Sequence, residues 1–241
     1  MNPVSDTVLI LAAGGASTRF GGGSKLFAEL DGIPVFLHAV RTAASVLTPG
    51  SIILSVPAAS EADFLAATEA HFPDVPLHFT HGGATRTLSV LNALEAAAKL
   101  GESRFLLAAV HDAGRPMLTP ELLLACLDAA RTNGGAMACR KVAETVKRIT
   151  ADGFLGETVP RDGLRTAETP QVFHFEPLLN AYRLAAASGE VFTDDAQVME
   201  RFAPVRVFPV EHDFPNPKIT YRPDLETCRV LLELRGEGAG S

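Results

Sequence analysis

The sequence predicts an α/β fold, a Rossmann-like and mostly parallel sheet with helices on both faces and a β-hairpin arm. Short apolar runs of strand length alternate with longer segments of helical period, and this alternation is typical of βαβ units. One polar, turn-rich segment interrupts the alternation and predicts the arm. We predict a single domain over residues 1–235, followed by a flexible glycine-rich tail at 236–241.

The predicted elements follow one another along the chain in this alternating order. The strand candidates are Thr7–Ala12, Ser51–Val56, Pro76–Thr80, Phe105–Val110, Ala136–Cys139 and Val205–Val210. The helix candidates are Val35–Val46, Glu61–His71, Thr85–Leu100, Pro120–Thr132, Pro177–Ser188, Asp194–Arg201 and Leu225–Leu234. Thr119 and Pro120 together supply an N-cap and a first helical position.

The predicted arm covers residues 141–171. The pairs Asp152-Gly153 and Asp162-Gly163 are hairpin-turn signals within it. The segment is longer than a simple connection in a compact domain, and it carries several cations. These cations either form a solvated arm or reach a second subunit or a substrate phosphate.

A glycine-rich, locally cationic loop follows the first strand. The fourteen residues from Ala12 to Lys25, AAGGASTRFGGGSK, contain five glycines, the cations Arg19 and Lys25, and no carboxylate, in a chain whose formal net charge is -7. Glycine lets backbone N–H groups approach an anion closely, and the two cations neutralise its charge. The loop therefore predicts a polyphosphate site.

This loop matches neither of two common nucleotide motifs. A Walker loop has Gly-Lys followed by Ser or Thr, whereas Lys25 is preceded by Ser24 and followed by Leu26. The dinucleotide fingerprint GxGxxG fails too, because Gly21 and Gly23 are followed by Leu26. ATPase and dehydrogenase interpretations therefore lose their main support.

A carboxylate follows the predicted strand Phe105–Val110. Ligands of open parallel sheets bind beyond the carboxyl ends of strands, and Asp112 is placed there to hold Mg²⁺ or a ribose. For its neighbour His111, packing or a local hydrogen bond is the favoured interpretation.

Two further segments carry polar residues suited to a ligand. Gly82-Gly83 opens a helix on which Arg86 and Ser89 share one face, where the positive helix terminus favours an anion or a base carbonyl. Lys218 lies in PNPKIT, just before the last helix. Each signal is weak alone and gains value from the others.

Composition limits the partners of the chain. The excess of 28 acidic over 21 basic residues argues against nucleic acid, which normally needs a basic face. The three cysteines are widely spaced without a CxxC, which predicts neither a disulfide framework nor a zinc site and fits a reducing cytoplasm. We expect no secretory signal, because the N-terminus MNPVSDTVLILAAGG lacks a basic n-region and its apolar run is short. We expect no membrane partner, because no stretch approaches the roughly 18 apolar residues of a membrane span.

Seven motifs stand in a specific order from residue 11 to residue 225: LAAGxxxxRxxxxxK, GGxxRxxSV, HDAxRP, ETxKR, RxGLxxxxTPQxF, TDDA and KxTxRxDL. In that order they resemble the 2-C-methyl-D-erythritol 4-phosphate cytidylyltransferase family, nucleotidyltransferases with a glycosyltransferase-A-like fold. The chain departs from the family pattern at Gly114, where Ala is usual, and at Pro217 and Tyr221 beside the lysine. None of these departures removes a charged group.

The resemblance implies cytidylyl transfer from CTP to 2-C-methyl-D-erythritol 4-phosphate in the non-mevalonate isoprenoid pathway, with Mg²⁺ as cofactor. It assigns catalysis to Arg19, Lys25 and Lys218. It implies nucleotide binding by Ala12, Ala13, Gly14, Gly83, Arg86, Ser89 and Asp112, with Asp112 also the metal ligand. It implies acceptor binding by Arg115, Thr145, Lys147, Arg161 and Thr169.

Three alternatives stay open at this stage. A more distant sugar-nucleotide or molybdopterin nucleotidyltransferase would share the glycine-rich loop but has no reason to keep the TPQ and TDDA patterns. A ribitol-5-phosphate cytidylyltransferase would use the same machinery on a different polyol phosphate. A catalytically silent nucleotide-binding protein would keep the fold, although the retained Arg19, Lys25, Asp112 and Lys218 argue against it.

We also expect a homodimer in which the arm crosses to the partner's site.

Overall fold

The computed structural model describes residues 2–15, 19–101 and 104–238. The strands are β1 Thr7–Ala12, β2 Glu29–Leu30, β3 Ile33–Pro34, β4 Ile52–Val56, β5 His78–His81, β6 Leu107–Asp112, β7 Gly135–Lys141, β8 Val146–Ile149, β9 Leu155–Val159, β10 Arg165–His174 and β11 Val207–Glu211. The α-helices are α1 Val35–Val46, α2 Glu61–His71, α3 Arg86–Ala98, α4 Pro120–Asn133, α5 Phe175–Ser188, α6 Asp195–Phe202 and α7 Arg222–Gly238. Short 3-10 helices span Lys25–Phe27 and Ala58–Ser60.

Seven of the strands form one sheet in the order β11-β7-β10-β6-β1-β4-β5. The pairings are parallel except those of β10, which runs antiparallel to both β6 and β7. The predicted mostly parallel α/β fold is confirmed. Within the described ranges, none of the helices combines the length and apolar character needed to cross a bilayer.

Alternating side chains of the sheet support two apolar layers. In β1, Leu9 and Leu11 pack into the cluster that includes α1, α2, α4 and α7, whereas Val8 and Ile10 pack into the cluster that includes α3, α5 and α6. Successive residues of a strand face opposite sides, so one apolar run serves both layers. The helices are therefore on both faces of the sheet, as predicted.

Most predicted elements have the expected place. The bounds of β1, α1 and α2 agree with the prediction to the residue. Thr119 caps α4, since its side chain accepts a hydrogen bond from Leu122 N and Pro120 begins the helix. Strand β6 continues to Asp112, two residues beyond the predicted end at Val110, because β1 pairs with it along its whole length.

The prediction for the arm requires a correction. Strands β8 and β9 form a separate two-stranded hairpin, and the predicted turn at Asp152-Gly153 joins them. Arg165–Gln171, however, belongs to β10 and lies inside the main sheet. Pairing with strands on both sides outweighs the polar character of this segment, so the arm is limited to residues 142–164, between β7 and β10.

The C-terminal helix also differs from its prediction. Helix α7 begins at Arg222 and reaches Gly238, whereas Leu225–Leu234 was predicted. The predicted flexible tail therefore overlaps this helix at 236–238, and its last residues, 239–241, lie outside the described residues.

All three cysteines are buried and unpaired. Cys126 and Cys228 pack in the cluster on the α1 side of the sheet. Burial raises the pKa of the Cys126 thiol to about 12 and that of Cys228 to about 11. Burial also raises the pKa of Cys139.

Candidate active site

The site lies at the carboxyl edge of the parallel strands. Ala12 ends β1 and is paired in register with Asp112, which ends β6. A cavity of about 410 Å³ opens at this edge. It is lined by Ala12, Ala13, Gly14, Gly15, Lys25, Leu26, Gly83, Ala84, Thr85, Arg86, Ser89, Asp112, Gly114 and Lys218.

Lys25 reaches the cavity from the end of the glycine-rich loop. Ser24 caps the short helix that follows, because its hydroxyl accepts a hydrogen bond from Leu26 N. The Lys25 ammonium donates to the carbonyl of Ile219 at 2.6 Å, which ties the loop to the segment before α7. Burial lowers the pKa of Lys25, and the neighbouring charge of Lys218 lowers it further.

The segment from Gly82 to Ser89 forms another wall. Ser89 Oγ accepts a hydrogen bond from Gly83 N at 3.1 Å and donates to Thr85 O at 2.9 Å. Glycine is required at position 83, because an added Cβ would lie 2.3 Å from Leu88 Cβ. At Gly14, a Cβ would lie 3.2 Å from Ser89 Oγ, so the two walls approach closely. Gly83 is therefore required by the packing of its own segment, and a side chain at position 14 would crowd the opposite wall.

Asp112 lies among three cations. Its Oδ2 is 2.8 Å from Lys218 Nζ and 3.6 Å from Arg115 Nε, and its Oδ1 is 3.8 Å from Arg86 Nε. Burial acts to raise the pKa of Asp112, but the charges of Lys218, Arg86 and Arg115 outweigh it and hold the pKa well below its usual range. The carboxylate is therefore ionised at neutral pH.

Arg86 is oriented by a carboxylate that the sequence analysis did not single out. Two of its guanidinium nitrogens donate to the two oxygens of Asp195 at 2.9 Å each. Asp195 is fully buried and also accepts a hydrogen bond from Tyr182. A bidentate pair fixes the plane of the guanidinium. The TDDA motif was the available signal for Asp195, and it contributed to the family resemblance only.

Arg115 and Thr169 lie behind Asp112 rather than in the lining of the cavity. Thr169 Oγ1 accepts a hydrogen bond from Asp112 N at 3.1 Å and donates to His111 Nδ1 at 3.0 Å. His111 Nε2 donates to Arg115 O at 3.1 Å. Burial lowers the pKa of His111 to about 4, so it is neutral at physiological pH. The interpretation of His111 as a packing and local hydrogen-bonding residue is confirmed.

A second layer of side chains supports Arg115. Its Nη1 donates to Asn216 O at 2.7 Å and lies 3.8 Å from Glu168 Oε2. The same carboxylate oxygen of Glu168 is 3.2 Å from His212 Nε2. Asn216 in turn donates to Thr169 O at 2.8 Å. Sequence reasoning missed Glu168, His212 and Asn216, because the contacts join segments distant along the chain.

The remaining acceptor candidates lie on the arm. Thr145, Lys147 and Arg161 are all exposed, and none lines the cavity of its own chain. Lys147 donates to Thr158 Oγ1 at 2.7 Å and Arg161 donates to Ala143 O, so these bonds remain within or next to the hairpin. A single chain therefore does not bring these three residues to Asp112.

The side chains of the cavity can be compared with the ligands that Mg²⁺ requires. Among the described residues no group of three or more His, Cys, Asp or Glu side chains is placed to hold a metal ion. Asp112 supplies one carboxylate to the cavity. Mg²⁺ is commonly held by one or two carboxylates together with substrate phosphates. The residues therefore fit a magnesium ion whose other ligands come from a nucleotide and water.

Comparison with known proteins gives consistent results. The family model of 2-C-methyl-D-erythritol 4-phosphate cytidylyltransferase matches residues 7–234. A protein of that name from Rhodopirellula baltica is 37% identical over 247 residues, covering 98% of this chain and 99% of the relative. A bifunctional enzyme IspD/IspF from Sinorhizobium medicae is 38% identical, covering 93% of this chain but 56% of the relative, so the chain spans about half the length of that relative. The solved structure of 4-diphosphocytidyl-2C-methyl-D-erythritol synthase from Anaerococcus prevotii superposes with a TM-score of 0.80 at 28% identity, covering 95% of this chain and 99% of that one.

Proposed function

The chain belongs to the 2-C-methyl-D-erythritol 4-phosphate cytidylyltransferase family, and we propose that it transfers the cytidylyl group of CTP to 2-C-methyl-D-erythritol 4-phosphate. The products are CDP-methylerythritol and pyrophosphate, in the non-mevalonate route to isoprenoids. One observation carries the assignment of the site: Lys25, Lys218 and Arg86 converge with Asp112 on one cavity at the carboxyl edge of the sheet.

The chemistry suits this cavity. An oxygen of the acceptor's phosphate attacks the α-phosphorus of CTP, and the bond from that phosphorus to the bridging oxygen breaks as pyrophosphate leaves. The nucleophile is already anionic, so no general base is required. Catalysis then depends on positioning and on stabilising the charge that develops. Arg19 and Lys25 would stabilise the triphosphate, and Lys218 would lie at the α-phosphate.

The nucleoside would bind between two walls of the cavity. We propose that Ala12, Ala13 and Gly14 face the cytidine from one side, and that Gly83 and Ser89 face it from the other. Arg86, held in place by Asp195, presents its charge next to Asp112. Selection for cytosine would come mainly from backbone groups of these walls and from the size of the pocket.

We propose Mg²⁺ as the cofactor, held by Asp112 and by phosphate oxygens of the nucleotide. Such an ion neutralises phosphate charge in the transition state. Lys218 and Arg115, which contact the same carboxylate oxygen, would keep Asp112 ionised and oriented.

We further propose a homodimer in which the arm completes the partner's site. The arm carries Thr145, Lys147 and Arg161 away from its own cavity. It also exposes apolar side chains, since Phe154 is 71% and Leu155 is 72% exposed. Burying these side chains against a second copy would remove apolar surface from water. The three unpaired cysteines support a reducing cytoplasm as its compartment.

A pyrophosphate-release assay tests the proposed function. CTP and UTP are each offered with methylerythritol 4-phosphate, ribitol 5-phosphate and ribulose 5-phosphate. We expect release that requires CTP and methylerythritol 4-phosphate together. Lys218→Ala should abolish it, whereas Lys99→Ala, which changes an exposed lysine at the end of α3, should not. A preference for ribitol 5-phosphate would replace the proposed acceptor, and no release with any pair would overturn the enzymatic assignment.

A further inference from the structure

Two neighbouring residues of the glycine-rich loop contact two neighbouring residues at the start of α7. The guanidinium carbon of Arg19 lies 5.9 Å from the centroid of the Tyr221 ring. The guanidinium carbon of Arg222 lies 5.7 Å from the centroid of the Phe20 ring. Each side thus contributes one cation and one ring, and both distances are within the range of cation–π attraction. We call these four residues the loop clamp.

The two aromatic rings of the loop clamp differ in burial. Phe20 is only 5% exposed and belongs to the apolar cluster on the α1 side of the sheet, so it anchors the loop. Tyr221 is 53% exposed, and its ring lies at the surface under Arg19. The loop backbone also runs close to the helix, since a Cβ at Gly22 would lie 3.8 Å from Arg222 Nη2.

The helix side of the loop clamp is itself fixed. Asp224 Oδ2 accepts hydrogen bonds from Thr220 N at 2.7 Å and from Tyr221 N at 2.8 Å, which sets the backbone at the start of α7. The hydrogen bond from Lys25 to Ile219 O adds a third link between the loop and this segment. The two cations assigned to the triphosphate are therefore both attached to the stretch that also carries Lys218.

We propose that Tyr221 and Arg222 are positioning residues that hold residues 19–25 of the glycine-rich loop beside the cavity, with Arg19 and Lys25 in place before the nucleotide binds. The inference rests on the proposed function, because it takes the triphosphate of CTP as the ligand of the loop. A loop that is already ordered loses less conformational freedom on binding than a free one. Weakening the loop clamp should therefore raise the KM for CTP more than it changes the KM for the acceptor.

Kinetics of matched variants provide the first test. One exposed cation–π contact is worth about 0.5–1 kcal/mol, so Tyr221→Ala should raise the KM for CTP roughly two- to fivefold. Tyr221→Phe keeps the ring and should restore the wild-type value. Arg222→Gln should resemble Tyr221→Ala. Arg201→Gln removes a contact of the same kind on α6, where Arg201 lies 5.3 Å from the Phe202 ring, and should leave both KM values unchanged.

Several kinetic results would overturn the proposal. An unchanged or lower KM for CTP in Tyr221→Ala would show that the ring does not help the loop to bind nucleotide. An equal loss in Tyr221→Phe would assign the effect to the hydroxyl instead of the ring. In the background of Arg19→Ala, Tyr221→Ala should have no further effect, and a full additional loss would separate the two residues.

Hydrogen exchange tests the same inference without turnover. In Tyr221→Ala, amides of residues 19–25 should exchange faster than in the wild type, while amides of the hairpin at 146–159 keep their rates. If the wild type transfers no cytidylyl group to any acceptor, the proposed function fails, and exchange still decides the role of the loop clamp. If the wild type is active but exchange of 19–25 is unchanged in the variant, the loop clamp alone fails.

Discussion

Lys218 Nζ lies 2.8 Å from Asp112 Oδ2 and joins the segment before α7 to the end of β6. The side chain of Asp112 is 11% exposed and that of Lys218 is 43% exposed, so the pair is buried on the carboxylate side and open on the ammonium side. A substrate phosphate can therefore approach the ammonium without displacing the carboxylate from the sheet. Through this ion pair, the ammonium of Lys218 is attached to a strand of the main sheet.

We expect Lys25→Ala to lose about 10²-fold or more in kcat, because in the proposed mechanism it removes a cation that would stabilise charge in the transition state. The free energy of unfolding should change by about 1 kcal/mol, the usual value of one hydrogen bond such as that to Ile219 O. Steady-state kinetics and urea unfolding measure the two effects, with Lys99→Ala as the control. Arg19→Ala should behave alike. A folded Lys25→Ala protein with near-normal kcat would remove this lysine from catalysis.

Activity should disappear with EDTA and return with Mg²⁺. Asp112→Asn should raise the Mg²⁺ concentration for half-maximal rate severalfold, because an amide oxygen is a weaker ligand for a hard cation than a carboxylate of the same shape. A magnesium titration of the pyrophosphate-release rate measures this shift. Asp128→Asn, which changes an exposed carboxylate on α4, is the control. Identical titrations for Asp112→Asn and the wild type would show that Asp112 does not bind the metal.

The buried residue His38, which does not line the cavity, should make the free energy of unfolding depend on pH. His38 Nε2 donates to Leu30 O at 2.8 Å, and its Nδ1 accepts from Arg41 at 3.2 Å, which fixes the neutral ring. Burial lowers the pKa of His38 below 6.5, and the charge of Arg41 adds to this effect. Between the lowered pKa and 6.5 the unfolded chain binds a proton that the folded chain does not.

The stabilisation from neutral His38 should therefore be complete above pH 6.5 and decrease as the pH falls below that value. Urea unfolding of the wild type and of His38→Gln across this range measures it. We expect the free energy of unfolding to fall more steeply with decreasing pH in the wild type than in the variant. Equal slopes would show that His38 titrates alike in both states.

Mixing two inactive variants tests the shared site of the proposed homodimer. If Lys25 and Arg161 complete a site from different chains, half of the dimers in an equal mixture of Lys25→Ala and Arg161→Ala are mixed, and each has one intact site. Roughly a quarter of all sites should then recover. Pyrophosphate release after verified subunit exchange measures the recovery.

The matched control for this experiment mixes Lys25→Ala with Arg19→Ala. Both residues are tied to the same segment of their own chain, so every site keeps a defect and no activity should return. Exchange without recovery in the first mixture would reject the crossing arm. Light scattering should in addition give twice the chain mass of 25.5 kDa.

Local patterns account for the parts of the fold and of the site that were predictable. The apolar run of β1 and the glycine-rich loop after it are contiguous in sequence, and so are Gly83, Arg86 and Ser89 at the start of α3. Such short-range signals need no knowledge of what packs against them. The structure brings Lys25, Asp112 and Lys218 to one cavity, and the roles that the family resemblance implies for them stay predictions.

Strand β10 shows why other parts were missed. Its middle carries Glu168, Thr169 and Gln171, polar residues that predict a loop, yet each is buried. Their polar groups are hydrogen-bonded to residues far along the chain. Thr169 accepts a hydrogen bond from Asp112 N, and Gln171 accepts one from Ala196 N at the start of α6. Tertiary pairing overrides local propensity in this strand, and no short-range pattern reveals those partners.

The start of α7 was misplaced for a different reason. The helix begins at Arg222, three residues before the predicted Leu225, and it includes Pro223, because proline is tolerated in the first turn, where its missing N–H needs no partner. The helix therefore includes Arg222 and brings it to Phe20.

The burial of all three thiols makes them unreactive in the folded protein. A thiolate is the reactive form, and raised pKa values keep these sulfurs protonated at neutral pH. An alkylating reagent can then react only when the chain opens, so the rate of alkylation reports the frequency of opening. The same inertness means that a cysteine introduced on the arm or the loop can carry a label without competition from the native ones.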